Sequence, residues 1–265
     1  MYPPMHKYPR THHIEGSRFQ HGDYDLNAVP FKQLKGRNLV IEEKMDGSNA
    51  GVSFAEDGTL LLQSRGHYLT GGPRERHFAL FKQWASVHQG ALREVLGARY
   101  VMYGEWLYAK HTCFYDLLPH YFMEFDVLDR ERGVFLDTPS RRALLAGLPL
   151  ISVAVLHEGP VQKLKQIEAL VGPSLFKSPK WREALVAAGA QAGVPADKVT
   201  RQTDSHVEME GLYVKLEEEG VVAQRLKWVR ASFTNKILES DEHWIDRPIV
   251  ANQLAPGVDL WGGVS

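Results

Sequence analysis

The chain has 265 residues, 44% of them hydrophobic, and a formal net charge of −1. That suits one large domain with a full core, or one domain plus a small appendage, and it excludes a globally basic nucleic-acid binder, so any nucleic acid must meet a local patch. A lone cysteine, Cys113, excludes an intramolecular disulfide, and the twelve histidines show no metal-ligand spacing. No apolar run reaches membrane-spanning length and Met1 to Arg10 hold no signal core, so the sequence reads as a cytoplasmic protein with no membrane contact.

In chain order, residues 1–30 are polar and rich in Pro, His and Gly, and read as an irregular arm with a strand at most. Strands follow at Leu39 to Glu43, Asn49 to Phe54 and Leu60 to Ser64, the last two joined by a turn at Glu56-Asp57-Gly58. Phe78 to Leu96 repeats Phe78, Phe81, Trp84, Ala85 and Val87 at helical spacing and predicts a helix. Arg99 to Tyr108 and Tyr121 to Leu128 return to strand character, and Ser140 to Leu145 reads as a short helix. Pro160 to Val171 and Pro179 to Ala188 are amphipathic helical stretches. Gly211 to Lys215 and Val221 to Val229 form a hairpin around the acidic turn Glu217-Glu218-Glu219-Gly220. Thr234 to Glu239 predicts a short helix, and the tail after Pro248 is weakly patterned. The mixture predicts an α+β fold of antiparallel sheets flanked by helices. The expected division is an arm over 1–30, a main domain over 31–235 and a short tail over 236–265.

The most informative segment is Glu42-Glu43-Lys44-Met45-Asp46-Gly47-Ser48-Asn49, a lysine at a strand end before an Asp-Gly turn. Alone, that pattern is most often a solvated hairpin end. A lysine amine becomes a nucleophile only where its surroundings let it shed its proton. Further segments follow in order: Gln63-Ser64-Arg65-Gly66, Tyr103-Gly104-Glu105-Trp106, Tyr121 to Val127, Glu210-Gly211-Leu212-Tyr213-Val214-Lys215 and Arg225-Leu226-Lys227-Trp228.

Together these segments resemble motifs I, Ia, III, IIIa, IV and V of the covalent nucleotidyltransferase superfamily, which holds ATP-dependent RNA and DNA ligases and mRNA capping enzymes. Asn49, where DNA ligases and capping enzymes usually carry arginine, favours the RNA-ligase branch, near the phage enzyme that seals nicks in duplex RNA. The opening Lys7 to Ser17 looks like the N-terminal signature of bacterial RNA ligases. The resemblance implies a nucleotidyltransferase core (an ATP-grasp-like ligase adenylation fold), and the short stretch after Lys227 implies no OB-fold.

It also implies roles. Lys44 would attack ATP to give lysyl-AMP, and the AMP would pass to an RNA 5′-phosphate before a 3′-hydroxyl seals the ends. Lys215, Arg225 and Lys227 would face the phosphates and help depress the Lys44 pKa, with Arg225 standing where the family usually has lysine. Glu105 would contact the ribose, and Glu210 would lie near Mg²⁺ (or Mn²⁺), with Glu105 as a second candidate metal ligand. Arg65 would grip a phosphate, Phe125 would stack on adenine, and Asn49 would bond the ribose or the 5′-phosphate. Asp46 would shape the turn, while Glu42 or Glu43 would help select the adenine edge. Arg10, His13, Ser17 and Arg18 are candidates for RNA or ATP-phosphate contact, against a solvated terminus. Lys177, Lys180 and Arg182 are weighed between backbone contact and a plain charged helix face. A kinase or phosphatase that prepares RNA ends is a plausible companion. The competing readings are a DNA ligase or capping-type transferase, and a nucleotide- or RNA-binding module without catalysis.

Overall fold

The computed structural model describes residues 2–20, 23, 26–235 and 248–262. The N-terminal half holds β1 (His12–Ile14), β2 (Ala28–Val29), β3 (Asn38–Glu43), β4 (Ser48–Phe54), β5 (Leu60–Ser64), α1 (Ala79–Val87), α2 (Gln89–Leu96), β6 (Tyr100–Trp106) and β7 (Phe122–Asp129). The rest holds β8 (Val134–Phe135), α3 (Thr138–Leu145), β9 (Ile151–Ser152), β10 (Val155–Pro160), α4 (Leu164–Glu168), α5 (Trp181–Gln191), α6 (Ala196–Arg201), β11 (Gly211–Glu218) and β12 (Val221–Val229). The fold is α+β, as expected.

Two six-stranded sheets organise the chain. Sheet A runs β10-β3-β11-β12-β1-β2, and sheet B runs β5-β4-β6-β7-β8 with β9 on β7. Pairing is antiparallel except at β1–β12, β1–β2 and β7–β9. Among the described residues no sheet closes into a barrel. The β11–β12 hairpin turns on Glu219 and Gly220, both at positive φ (51° and 81°). That handedness matches the twist of the flanking strands.

Each sheet has one apolar face, because side chains alternate along a strand. On sheet A, Leu39, Ile41, Leu212, Val214, Leu216 and Leu226 join one core cluster with Phe31, Leu34 and Ile167. The alternate residues, Glu42, Tyr213, Lys215, Arg225 and Lys227, share the other face. On sheet B, Val52, Phe54, Met102 and Val127 pack against Phe81, Trp84, Leu92 and Leu96 of α1 and α2. Burying each of these large side chains is worth about 1.5–3 kcal/mol.

Three local expectations change. The helix over 78–96 divides at His88 (φ −95°, ψ 7°), two residues before Gly90, a poor helix former, and Val87 is 62% exposed rather than core. The stretch 160–171 yields only the short α4 (Leu164–Glu168), and its first residue, Pro160, closes the edge strand β10 on β3. The N-terminal segment, expected to be irregular with one strand at most, holds two short strands, of which β1 pairs with β12, and Tyr8, Ile14 and His13 are buried. The helix expected at 234–239 lies largely outside the described residues.

Candidate active site

Lys44 is the first residue beyond β3, in a loop fixed from several sides. Its N–H donates to the Gly211 carbonyl (3.0 Å). Asp46 N–H donates to the Tyr115 hydroxyl, and Asp46 Oδ2 accepts from the N–H groups of Thr112 (2.7 Å) and Cys113 (2.6 Å). Asp46 therefore shapes the turn. Gly47 N–H donates to Glu105 Oε1 (3.0 Å). A Cβ at Gly47 would meet the Trp106 carbonyl at 2.6 Å, and one at Gly211 would meet the Trp228 carbonyl at 2.1 Å. Both glycines are required because backbone passes backbone there.

The Lys44 amine lies 2.8 Å from Glu210 Oε1. Burial alone would favour its neutral form, but Glu210, Glu105 and Asp46 outweigh it and hold the pKa above the ordinary lysine value. The sequence-based expectation was the opposite sign, since it counted the cations and not the nearer carboxylates. Burial pushes both Glu105 and Glu210 up to about 7, against the pull of Lys44. Glu210 Oε2 and Asn49 Oδ1 are buried without a partner. Among the described residues, no three His, Cys, Asp or Glu side chains are placed to cage a metal.

Two cavities meet at Lys44. One, of about 310 Å³, is walled by Glu42, Glu43, Lys44, Asn49, Arg65, Glu105, Phe125 and Lys227, together with Tyr8, Arg10, Asp23 and Tyr213. The second, of about 840 Å³, shares Lys44, Asn49, Arg65 and Glu105 and adds Glu210, Ser48, His111 and the loop from Ser64 to Pro73. Strand register makes this convergence: Asn49 pairs with Glu105 across β4–β6, and Glu42, Tyr213, Lys227 and His13 form one row across β3, β11, β12 and β1. Glu43 is buried beside the lysine and accepts from Ser174 Oγ (2.5 Å) and the Leu175 N–H.

Lys215 and Arg225, expected at the phosphates, do not line either cavity and lie in a charge cluster behind the smaller one. Lys215 is fully buried, 3.0 Å from Glu42 Oε1 and 3.3 Å from Asp126 Oδ1, and it donates to the Phe125 carbonyl. Arg225 donates to Asp126 Oδ2 (3.0 Å) and covers the Phe135 ring. Arg141 completes the cluster by binding Glu124 and Glu42. Three carboxylates and three cations thus balance between the sheets, beside the Phe125 carbonyl. Burial raises the Asp126 pKa, but Lys215 and Arg225 reverse this and leave it below the usual carboxylate range.

The N-terminal candidates separate. Arg10 lines the smaller cavity, 3.7 Å from Asp23 Oδ1. His13 is fully buried between Ser17 and Asp23, out of reach of RNA, and Arg18 donates to the Ala231 carbonyl. Lys177 is buried and donates to the His206 carbonyl, while Arg182 donates to that of Ser205. Tyr8, Thr11 and Tyr213 line the smaller cavity from segments singled out in the sequence without a role of their own, and Asp23 lines it from a stretch that carried no signal. Tyr8 donates to Asp126 Oδ2 (2.5 Å) and bonds the Tyr213 hydroxyl, so the opening segment ties both sheets together.

The RNA ligase family profile matches residues 37–229. No curated protein matches the chain. Among solved structures, the fold is similar to single-substitution variants of Naegleria gruberi RNA ligase. One with ATP and manganese gives a TM-score of 0.54 at 17% identity, covering 87% of this chain and 58% of that one. Another with AMP and manganese gives 0.53 at 16%, covering 86% and 57%. At such identity the likeness shows the fold, and the chain spans less than three-fifths of the ligase chains it matches.

Proposed function

Because the chain belongs to the RNA ligase family, we propose that it is an ATP-dependent RNA ligase that joins 3′-hydroxyl and 5′-phosphate ends through Lys44. The observation that carries this reading is the Lys44 amine, bracketed by Glu210 and Glu105 where the two cavities meet. Neutral Lys44 attacks the α-phosphorus of ATP. The bond to the β-phosphate oxygen breaks, pyrophosphate leaves and the amine loses its proton, giving lysyl-AMP. An oxygen of the RNA 5′-phosphate then displaces the amine, and the 3′-hydroxyl displaces AMP from that phosphate, surrendering its proton. Each step is a phosphoryl or nucleotidyl transfer, so positioning and charge neutralisation carry the catalysis.

The smaller cavity suits the nucleotide. Phe125 and Tyr213 supply aromatic surface for the base, Glu42 and Glu43 its polar edge, and Glu105 and Asn49 the ribose. Lys227 and Arg10 take the phosphates. The second cavity then receives the RNA end, with Arg65 and Asn49 at the shared wall. Glu210 and Glu105 are the residues that would hold a divalent ion. The unpartnered Glu210 Oε2 fits that role, and Mg²⁺ or Mn²⁺ keeps waters and needs few protein oxygens. When bound, the ion neutralises charge on the transferring phosphate. The ATP and manganese in the Naegleria structures support this choice.

Incubation with radiolabelled ATP and Mg²⁺ or Mn²⁺ tests the reading. The wild type takes label that survives denaturation and alkali but is released by acid, as a lysine phosphoramidate is, and Lys44→Ala takes none, and RNA nicks with 5′-phosphates are sealed in preference to DNA nicks. Label from GTP would point to capping chemistry, and no label from either nucleotide would sink the reading.

A further inference from the structure

Lys227 reaches the smaller cavity from β12, yet its nearest partner comes from the other end of the chain: its ammonium donates to Asp23 Oδ2 at 2.7 Å. Asp23 is itself fixed. His13 Nε2 lies 2.9 Å from the same carboxylate, and His13 Nδ1 lies 2.6 Å from Ser17 Oγ. The Val229 N–H donates to Ser17 Oγ (2.9 Å), so Ser17 is held between β12 and the His13 ring. His13 sits in β1 directly across from Lys227 and is fully buried. The parallel β1–β12 pairing thus places the relay and its target side by side. Arg10, 3.7 Å from Asp23, adds a second cation at this wall.

Resting on the reading of Lys227 as a phosphate ligand, we infer that Asp23 is a positioning residue for Lys227: the Ser17–His13 pair locks the carboxylate at the cavity wall, and the carboxylate aims the ammonium at the nucleotide phosphates. An isolated surface aspartate would hold a lysine loosely. A carboxylate anchored by a buried imidazole costs the lysine side chain little further entropy when it engages phosphate.

The chemistry gives the relay a second consequence. Facing Lys227 are Asp23 and Arg10 from the N-terminal segment, His13 on β1, Tyr213 on β11, and Lys44 and Glu210 around the cavity. Burial lowers the Lys227 pKa, Lys44 lowers it further, and Asp23 is the leading force in the other direction. Asp23 resists protonation strongly: its hydrogen bonds to His13 and Lys227 overcome the upward push of burial. It therefore remains an anion throughout the range in which Lys227 has to be a cation.

The test is the pH profile of lysyl-AMP formation. Asp23→Asn should move the alkaline limb down by about one pH unit or more, the usual effect of losing an opposite charge at contact. His13→Leu should move it the same way by less, and His13→Gln, which keeps an N–H for Asp23, should restore it. In a Lys227→Arg background, Asp23→Asn should leave the limb in place, because a guanidinium stays charged. Titration of ¹³Cε-lysine NMR signals, assigned by loss of a peak in Lys227→Arg, reads the same shift with no turnover, and the His13 pair serves if Asp23→Asn fails to fold. A uniform loss of rate with an unmoved limb and an unmoved Lys227 signal would make Asp23 merely structural and overturn the inference. A limb shift that persists in Lys227→Arg would overturn it too. Failure of the wild type to take label would fall on the ligase reading instead, and the NMR titration would still decide the role of Asp23.

Discussion

Lys215 and Lys227 leave neighbouring strands of sheet A on the same face, yet they meet different surroundings. Lys215 is sealed, 0% exposed, among Glu42, Asp126 and the Phe125 carbonyl. Lys227 is 14% exposed, faces the cavity and holds one anchored carboxylate. Arg225, two residues before Lys227, is nearly as exposed at 12%, but it pairs with Asp126 and lines neither cavity. The difference shows that a cationic row on one sheet serves two tasks, set by where the second sheet closes over it. Under the closed part, cations and carboxylates neutralise one another and fix the floor of the cavity. At the open end, one cation is left to meet substrate.

That contrast breaks most visibly at Lys215. Lys215→Met removes one member of a buried, balanced cluster and leaves Glu42 and Asp126 short of charge. The expected loss is about 3–5 kcal/mol of stability, read by urea or thermal unfolding, while label uptake per folded molecule changes little. A large loss of uptake with unchanged stability would return Lys215 to the phosphates.

Lys227→Ala should behave in reverse. Label uptake from ATP should fall by roughly 10²–10³-fold, the usual effect of removing one donor aimed at developing charge, with only a small change in melting temperature. Equal losses in stability and activity would erase the distinction between the two ends of the row.

The sequence made part of this contrast legible. Lys44, Glu105, Glu210 and Asn49 stand at strand ends beside turn residues, and local pattern finds such positions. The paired strands from Ser48 to Ser64 and from Gly211 to Val229 were legible for the same reason: period-two alternation and an Asp-Gly or Glu-Gly turn between them, whereas the placing of β3 in the other sheet was not. The sealing of Lys215 was not, because it depends on how sheet B stacks on sheet A, and no local spacing encodes that. Asp23 was invisible because its partner lies 204 positions away. The sign of the Lys44 shift was missed for a related reason. Motif order names the charges near the lysine, but only distance ranks Glu210 above Lys227.

The carboxylates around Lys44 sharpen the contrast further. Glu105 sits at about 7 when folded, well above its ordinary value near 4.5, with burial the leading cause. A folded-state pKa raised this way means that stability is fully present below pH 4.5 and is lost as pH rises toward 7. Glu105→Gln carries no such penalty. The variant should therefore gain on the wild type between pH 5 and pH 8, by roughly 1–3 kcal/mol. Urea titrations at the two pH values measure it, and a gap that stays constant would place the Glu105 carboxylate in a wetter setting.

The smallest expected effect lies just outside the row, at Ser174. Its hydroxyl donates to Glu43 Oε1 at 2.5 Å, and the next N–H, of Leu175, reaches Glu43 Oε2 at 3.2 Å. Glu43 is the residue before the nucleophile, and burial raises its pKa while these two donors hold it down. Ser174→Ala removes one bond to a charged acceptor and leaves the other, so the loss should be about 1.5 kcal/mol. Because Glu43 pairs across β11 through its backbone, the strand should keep Lys44 in place and label uptake should fall only a few-fold. A hundred-fold fall would mean that the 174–175 segment, rather than β3, sets the position of the lysine. The division between sealed scaffold and open site would then have to be redrawn to include it.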